Sequence, residues 1–261
     1  MGTDNKPIGS GFMIFLLILL VAGMTASGLW VTQGLNWILT ALFLLVFMIV
    51  LGIRVCGRPA GILINERNLM SLSRFQIVVW TLLILSAYLT MALSRVAAGG
   101  ISDPLAIELD WRLWALLGIS TTSLVGTPLI LSTKKVKTPA NAEAVTKKAA
   151  AELKQPEAEI QENIEGTLYG NPSPADARFS DMFEGEEIKN TAYIDMAKVQ
   201  MFFFTLVAAV SYAVLLFQMI ATKSPQELAS FPILPDGLIA ILGISHAGYL
   251  GNKIVDHTQT A

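Results

Sequence analysis

The segment SRFQIVVWTLLILSAY at 73–88 decides the fold class: a run of apolar residues follows a polar head of Ser73, Arg74 and Gln76, with Thr81 further in. A second segment, AKVQMFFFTLVAAVSY at 197–212, repeats the layout with Lys198, Gln200 and Thr205. Laying 71–88 over 195–212 without a gap, at an offset of 124, also pairs Ser71 with Asp195 and Tyr88 with Tyr212. Further along, ALLGISTTSLVG (115–126) lies over AILGISHAGYLG (240–251) at an offset of 125, matching Gly118 to Gly243, Ser120 to Ser245 and Gly126 to Gly251. Two matches in the same order, at offsets one residue apart, read as a duplicated two-helix hairpin.

Working outward, a hydrocarbon core of about 30 Å needs roughly 20 mostly apolar residues per helix. Six stretches approach that standard, at 12–30, 36–53, 75–94, 112–132, 199–220 and 233–251. The composition agrees: 53% of the 261 residues are hydrophobic and 15% charged, against about a quarter charged in soluble domains. The sequence therefore predicts an all-α integral membrane protein with six transmembrane helices. Its parts are an N-terminal hairpin (1–53), a connection (54–73), hairpin repeat A (74–133), an insertion (134–196), hairpin repeat B (197–254) and a tail (255–261). Each hairpin starts and ends on the same side, so the copies are parallel repeats.

Arg54, Arg58, Arg67 and Arg74 flank the first connection, and Lys134, Lys135 and Lys137 follow the fourth span, whereas the opposite connections carry only Arg95, Arg112 and Lys223. The positive-inside rule then makes both termini and 134–196 cytoplasmic, in a multi-pass inner-membrane protein. Trp30, Trp37, Trp111 and Trp114 fall near the other face, where indoles favour the headgroup layer.

The insertion is rich in Ala, Glu and Lys up to 166, which predicts a solvated helix broken at Pro156, or partial disorder. GNPSPAD at 170–176 is a turn-rich break. After it, Phe179, Met182 and Phe183 stand at i, i+3 and i+4, an apolar helical face that docks on the membrane surface, under the bundle or on a partner.

Among the repeated residues, Ser71 and Asp195 read as N-caps. Arg74 and Lys198 read as cytoplasmic anchors that snorkel to headgroups, or as a basic pore mouth. A primary amide facing lipid has no water to bond, so Gln76 and Gln200 are expected to face protein or a hydrated path. With Thr81, Thr205, Ser120, Ser245 and His246 they form a candidate set of polar-path or interhelical contacts. Gly118, Gly126, Gly243 and Gly251, at small-xxx-small spacing, predict close helix packing. His246 is the one titratable side chain well inside a predicted span, and occupies the place of Thr121 in the first copy.

Several classes are disfavoured. No predicted span carries Asp, Glu, Lys or Arg near its middle, as coupled transporters and voltage sensors do. Phosphate-loop, nucleophile-elbow and zinc-protease motifs are missing, so no enzyme activity, cofactor or metal is implied. A net charge of −2 and a single cysteine, Cys56, point to neither nucleic acid nor a disulfide framework. The partners expected are the lipid bilayer, other copies of the chain in a homo-oligomer, and a cytoplasmic protein. The leading expectation is an oligomeric, channel-like protein with a regulatory cytoplasmic segment. The alternatives are a non-conducting scaffold or signalling subunit that recruits a partner through 134–196 and, behind it, a small-molecule carrier.

Overall fold

The computed structural model describes residues 10–260. It is mostly helical, in the order α1 (Ser10–Trp30), α2 (Leu35–Cys56), α3 (Leu72–Ala98), α4 (Trp111–Lys135), α5 (Ala142–Leu153), α6 (Glu157–Glu162), α7 (Met196–Thr222) and α8 (Asp236–Ile254). Among the described residues five helices, α1, α2, α3, α4 and α7, are long and apolar enough to cross a membrane. Their outward faces are unlike those of a soluble bundle: Phe15, Ile18, Val207, Val210 and Val214 are all exposed. An exposed apolar surface on this scale is what a lipid solvent requires.

Both repeated caps form. Ser71 Oγ accepts from Arg74 N at 3.5 Å, and Asp195 Oδ1 accepts from Ala197 N at 2.9 Å and Lys198 N at 3.3 Å. Behind them, α3, α4, α7 and α8 enclose the main core, built around Trp80, Met91, Leu116, Tyr212 and Leu242. The α1–α2 hairpin joins this core mainly along α3, with Trp37 of α2 entering the core itself, and polar pins add to the packing. Trp37 Nε1 donates to Ser86 Oγ at 2.9 Å, and Asn36 Nδ2 to Ser94 Oγ at 3.1 Å.

The four glycines expected to bring helices together do not do so. Gly118 and Gly251 face open space, and side chains added at Gly126 or Gly243 would meet Leu250 or Ile119 at ordinary contact distances of 3.6 and 3.7 Å. Close approaches occur instead between α1 and α3, where a Cβ on Gly28 would stand 2.5 Å from the Leu93 side chain, and where α2 ends. A Cβ on Gly61 would stand 2.4 Å from Gly52 O, so the turn after α2 folds back directly onto its helix.

At one end of the bundle, the α3–α4 and α7–α8 connections pair through Glu108 N to Ala229 O (2.8 Å) and Phe231 N to Glu108 O (3.0 Å). The other end is capped by residues 136–195. Here α5 stops at Lys154, which takes a left-handed conformation, and Pro156 starts α6. A short antiparallel pair follows, β1 (Ile164–Glu165) and β2 (Leu168–Tyr169). Its turn residue Gly166 has φ +64°, and any Cβ there would lie 2.3 Å from Lys134 O, so glycine lets the hairpin press onto the end of α4. Ala149, Ala150, Ile160, Tyr169 and Ile188 form a small core completed by Leu69 from the 54–73 connection.

Phe179 and Met182 sit on a single 3-10 turn (Phe179–Met182) that Phe183 caps, rather than on an α-helical face. Met182 is fully buried among Met70, Leu72, Met201 and Tyr249. The rings of Phe179 and Phe183 meet Phe202 of α7 edge-on, with centroids 6.2 and 5.0 Å away. This apolar trio docks on the bundle of its own chain, although Phe179 stays more than half exposed.

Candidate functional site

Two polar clusters stand out, one inside the bundle and one at its capped end. The inner cluster centres on Gln76, whose residue surface is 0% exposed. With its amide nitrogen as donor, Gln76 reaches Thr205 Oγ1 at 2.6 Å and His246 Nε2 at 3.2 Å. The second ring nitrogen of His246, Nδ1, stands 2.6 Å from Ser123 Oγ. An acceptor at Nε2 leaves the proton of a neutral ring on Nδ1, so the imidazole donates to Ser123 and both nitrogens are used. One side chain from each of α3, α4, α7 and α8 is tied into a single chain of bonds.

The repeat does not reproduce this cluster. Gln200 is exposed on the outer surface of α7, and Thr121, the counterpart of His246, is exposed on α4. Within the single chain, Gln76 faces protein and Gln200 does not. Thr81 is half-buried and lines a cleft on the far side of α3. Ser120 and Ser245 are buried beside the cluster, but their hydroxyls, like Gln76 Oε1, have no hydrogen-bond partner among the described residues.

The outer cluster is ionic. Lys134 from the end of α4, Lys198 from the start of α7, Lys253 from the end of α8 and Arg67 from the α2–α3 connection are all buried. Two adjacent carboxylates from the capping segment meet them. Glu187 takes Lys134 at 2.5 Å, while Glu186 takes Arg67 at 2.5 Å, Lys198 at 3.0 Å and also Lys253. Glu187 further accepts from the backbone of His257 (3.1 Å) and Thr258 (2.6 Å), securing the tail. Burial pulls the Arg67 guanidinium down to about 10. Nearby, burial raises the Asp181 carboxyl above its ordinary 3.8, against the opposing pull of hydrogen bonds from Arg178 N and Met70 N.

This clasp corrects the reading of Lys198. Instead of reaching for headgroups, its ammonium turns under the cap to Glu184 O at 2.6 Å and to Glu186. Arg74 behaves differently, remaining partly exposed with only Glu66 nearby, at 4.0 Å. The clasp was not legible in the sequence, because basic residues at helix ends usually report membrane orientation, and the acidic partners of Arg67, Lys134 and Lys253 lie 53–119 positions away. The run EGEE at 184–187 was the available signal. Among the described residues, no group of three or more His, Cys, Asp or Glu is arranged to hold a metal ion.

Comparison of the chain with protein-family models, with curated proteins and with solved structures gives no match.

Proposed function

We propose that this chain is a non-conducting, six-span membrane scaffold that holds residues 136–195 rigidly at the cytoplasmic face of the inner membrane, where they receive a protein partner. The observation that carries this reading is the state of Gln76. Its amide nitrogen is closed off from solvent and spent on Thr205 and His246, while Gln200 lies exposed on the outer surface of α7, which supports a reading without a shared polar path inside one chain. The clasp supports the second half of the reading. A domain held to the ends of α4, α7 and α8 by buried ion pairs is presented in a fixed orientation, as a docking platform requires.

The sixth span in this reading is α8. Its polar residues Ser245, His246 and Lys253 are buried, while Ile241, Ile244, Ala247, Gly248 and Gly251 face outward. Apart from exposed Asp236 in its first turn, which pairs with Arg112, the helix turns its polar groups to protein and apolar or small residues outward, which suits a bilayer although its average hydropathy is modest. With α8 spanning, the two hairpins run parallel, and the basic residues around 54–74 and 134–137 place the cap on the cytoplasmic side.

Purified protein in liposomes should give no ion or small-solute flux above empty vesicles. A partner captured by the intact protein should be lost when Lys148 and Lys189, which flank a cleft of about 220 Å³ on the outer side of α5, are both changed to Glu. Flux that Gln76→Leu abolishes would overturn the scaffold in favour of a pore.

A further inference from the structure

A cleft lies on the side of α3 away from the polar cluster. Here α3 forms the floor, with α2 and α4 as walls, and the cleft holds about 490 Å³. Ile77, Val78 and Thr81 of α3, Leu124 and Leu131 of α4 and Met48 of α2 line its length. From Ser71 to Thr81 the helix rises about 15 Å, which is half of a hydrocarbon core of about 30 Å. The cleft is thus one leaflet deep and mainly apolar. Pro128 adds a polar point inside it: proline has no N–H, so the carbonyl of Leu124 loses its usual helical donor, and both residues face the cleft.

The mouth carries one charge of each sign. Arg74 and Glu66 are 4.0 Å apart and both partly exposed, so neither is neutralised as the clasp residues are. The Ser71 and Ser73 hydroxyls stand beside them. An apolar slot one leaflet deep, with a cation and an anion at the headgroup level, complements a phospholipid whose headgroup holds both charges. We propose that this cleft binds one acyl chain of a zwitterionic, ammonium-bearing phospholipid, with its phosphate on Arg74 and its ammonium on Glu66. Arginine presents a planar fork suited to phosphate oxygens. The site belongs to the first repeat alone, because the α1–α2 hairpin supplies the wall that α7 lacks. It gives a role to α2, which lies outside the duplication, and it is independent of the scaffold reading.

The test is native mass spectrometry of the full chain released from nanodiscs of equimolar phosphatidylethanolamine and phosphatidylglycerol. One phosphatidylethanolamine should be retained per chain. Arg74→Gln should lower that retention by roughly tenfold, the loss of a charge-assisted contact, and Glu66→Gln should shift selectivity towards phosphatidylglycerol. Val78→Trp, which fills the cleft, should remove the lipid. If that variant fails to fold, the two mouth substitutions, which touch exposed groups, still decide the matter. Equal retention of both lipids, preference for phosphatidylglycerol in the unaltered chain, or retention indifferent to Arg74→Gln and Glu66→Gln would each overturn the proposal.

Discussion

Position 76 and position 200 hold the same residue at matched places in a duplicated helix, and they have opposite environments. Replacing Gln76 by Leu strips Thr205 and His246 of a buried partner, and should cost about 1–2 kcal/mol. Gln200→Leu changes an exposed residue and should stay within about 0.5 kcal/mol. Thermal unfolding of the two variants in the same detergent checks this; equal losses would mean that Gln200 is bonded as firmly as Gln76. The sequence identified both residues as polar groups needing a partner, but alignment of the repeats could not assign the partner. That assignment depends on which helix each copy packs against, and α1 and α2 pack mainly along the first copy. Asp181 offers a pH test at the same scale. Its carboxyl is raised above 3.8 chiefly by burial, so the folded state binds the proton more tightly than the unfolded chain does. Its contribution is then fully present below 3.8 and lost as pH rises through the folded value. Relative to Asp181→Asn, the unaltered chain should therefore gain stability as pH falls from 7 towards 4. A relative loss over that window would reverse the sign.

The helices α4, α7 and α8 each bring one cation to Glu186 or Glu187, and this arrangement makes the cap an element of the bundle. Removing Glu187 leaves Lys134 buried with only Val255 O (2.6 Å) and a distant Asp256 (3.8 Å). The expected cost of Glu187→Ala is about 3–5 kcal/mol. The paired change Lys134→Met with Glu187→Met should cost less than Glu187→Ala, because no unpaired charge remains. It should still cost something, since the amides of His257 and Thr258 lose their acceptor. Hydrogen exchange localises the effect: residues 164–190 and the tail should exchange faster in Glu187→Ala, with α3 unchanged. Uniform acceleration through α3 would argue that the clasp supports the whole fold instead. Helix positions were legible from apolar runs, as α3 and α7 illustrate. The cap was not, because its core residues Ile160, Tyr169 and Ile188 are scattered singly through a polar segment and are completed by Leu69, about a hundred positions earlier in the chain. A core assembled from isolated residues leaves no periodic trace for a local reading to find.

Over the whole molecule, α8 falls short of the five helices that hydropathy marks as candidate spans, although the face it turns outward between Ala240 and Gly251 is apolar or small. Averaging over a window mixes the lipid-facing residues with inward residues that protein satisfies, and so undervalues a span whose partners are internal. Topology provides the decisive measurement. If α8 spans and the basic residues lie inside, the cap and the tail share one side and the α7–α8 connection lies on the other. In a Cys56→Ser background, Lys148→Cys and Gln259→Cys should then be labelled by a membrane-impermeant maleimide only after inner-membrane vesicles are inverted or opened, whereas Lys223→Cys should be labelled in intact spheroplasts. None of the three substitutions touches the clasp or the inner cluster, so each variant should assemble normally. Labelling of Gln259→Cys from the same side as Lys223→Cys would put the tail across the membrane from the cap. That outcome contradicts the backbone of His257 and Thr258 bonding to Glu187, so the same experiment tests the clasp as well as the sixth span.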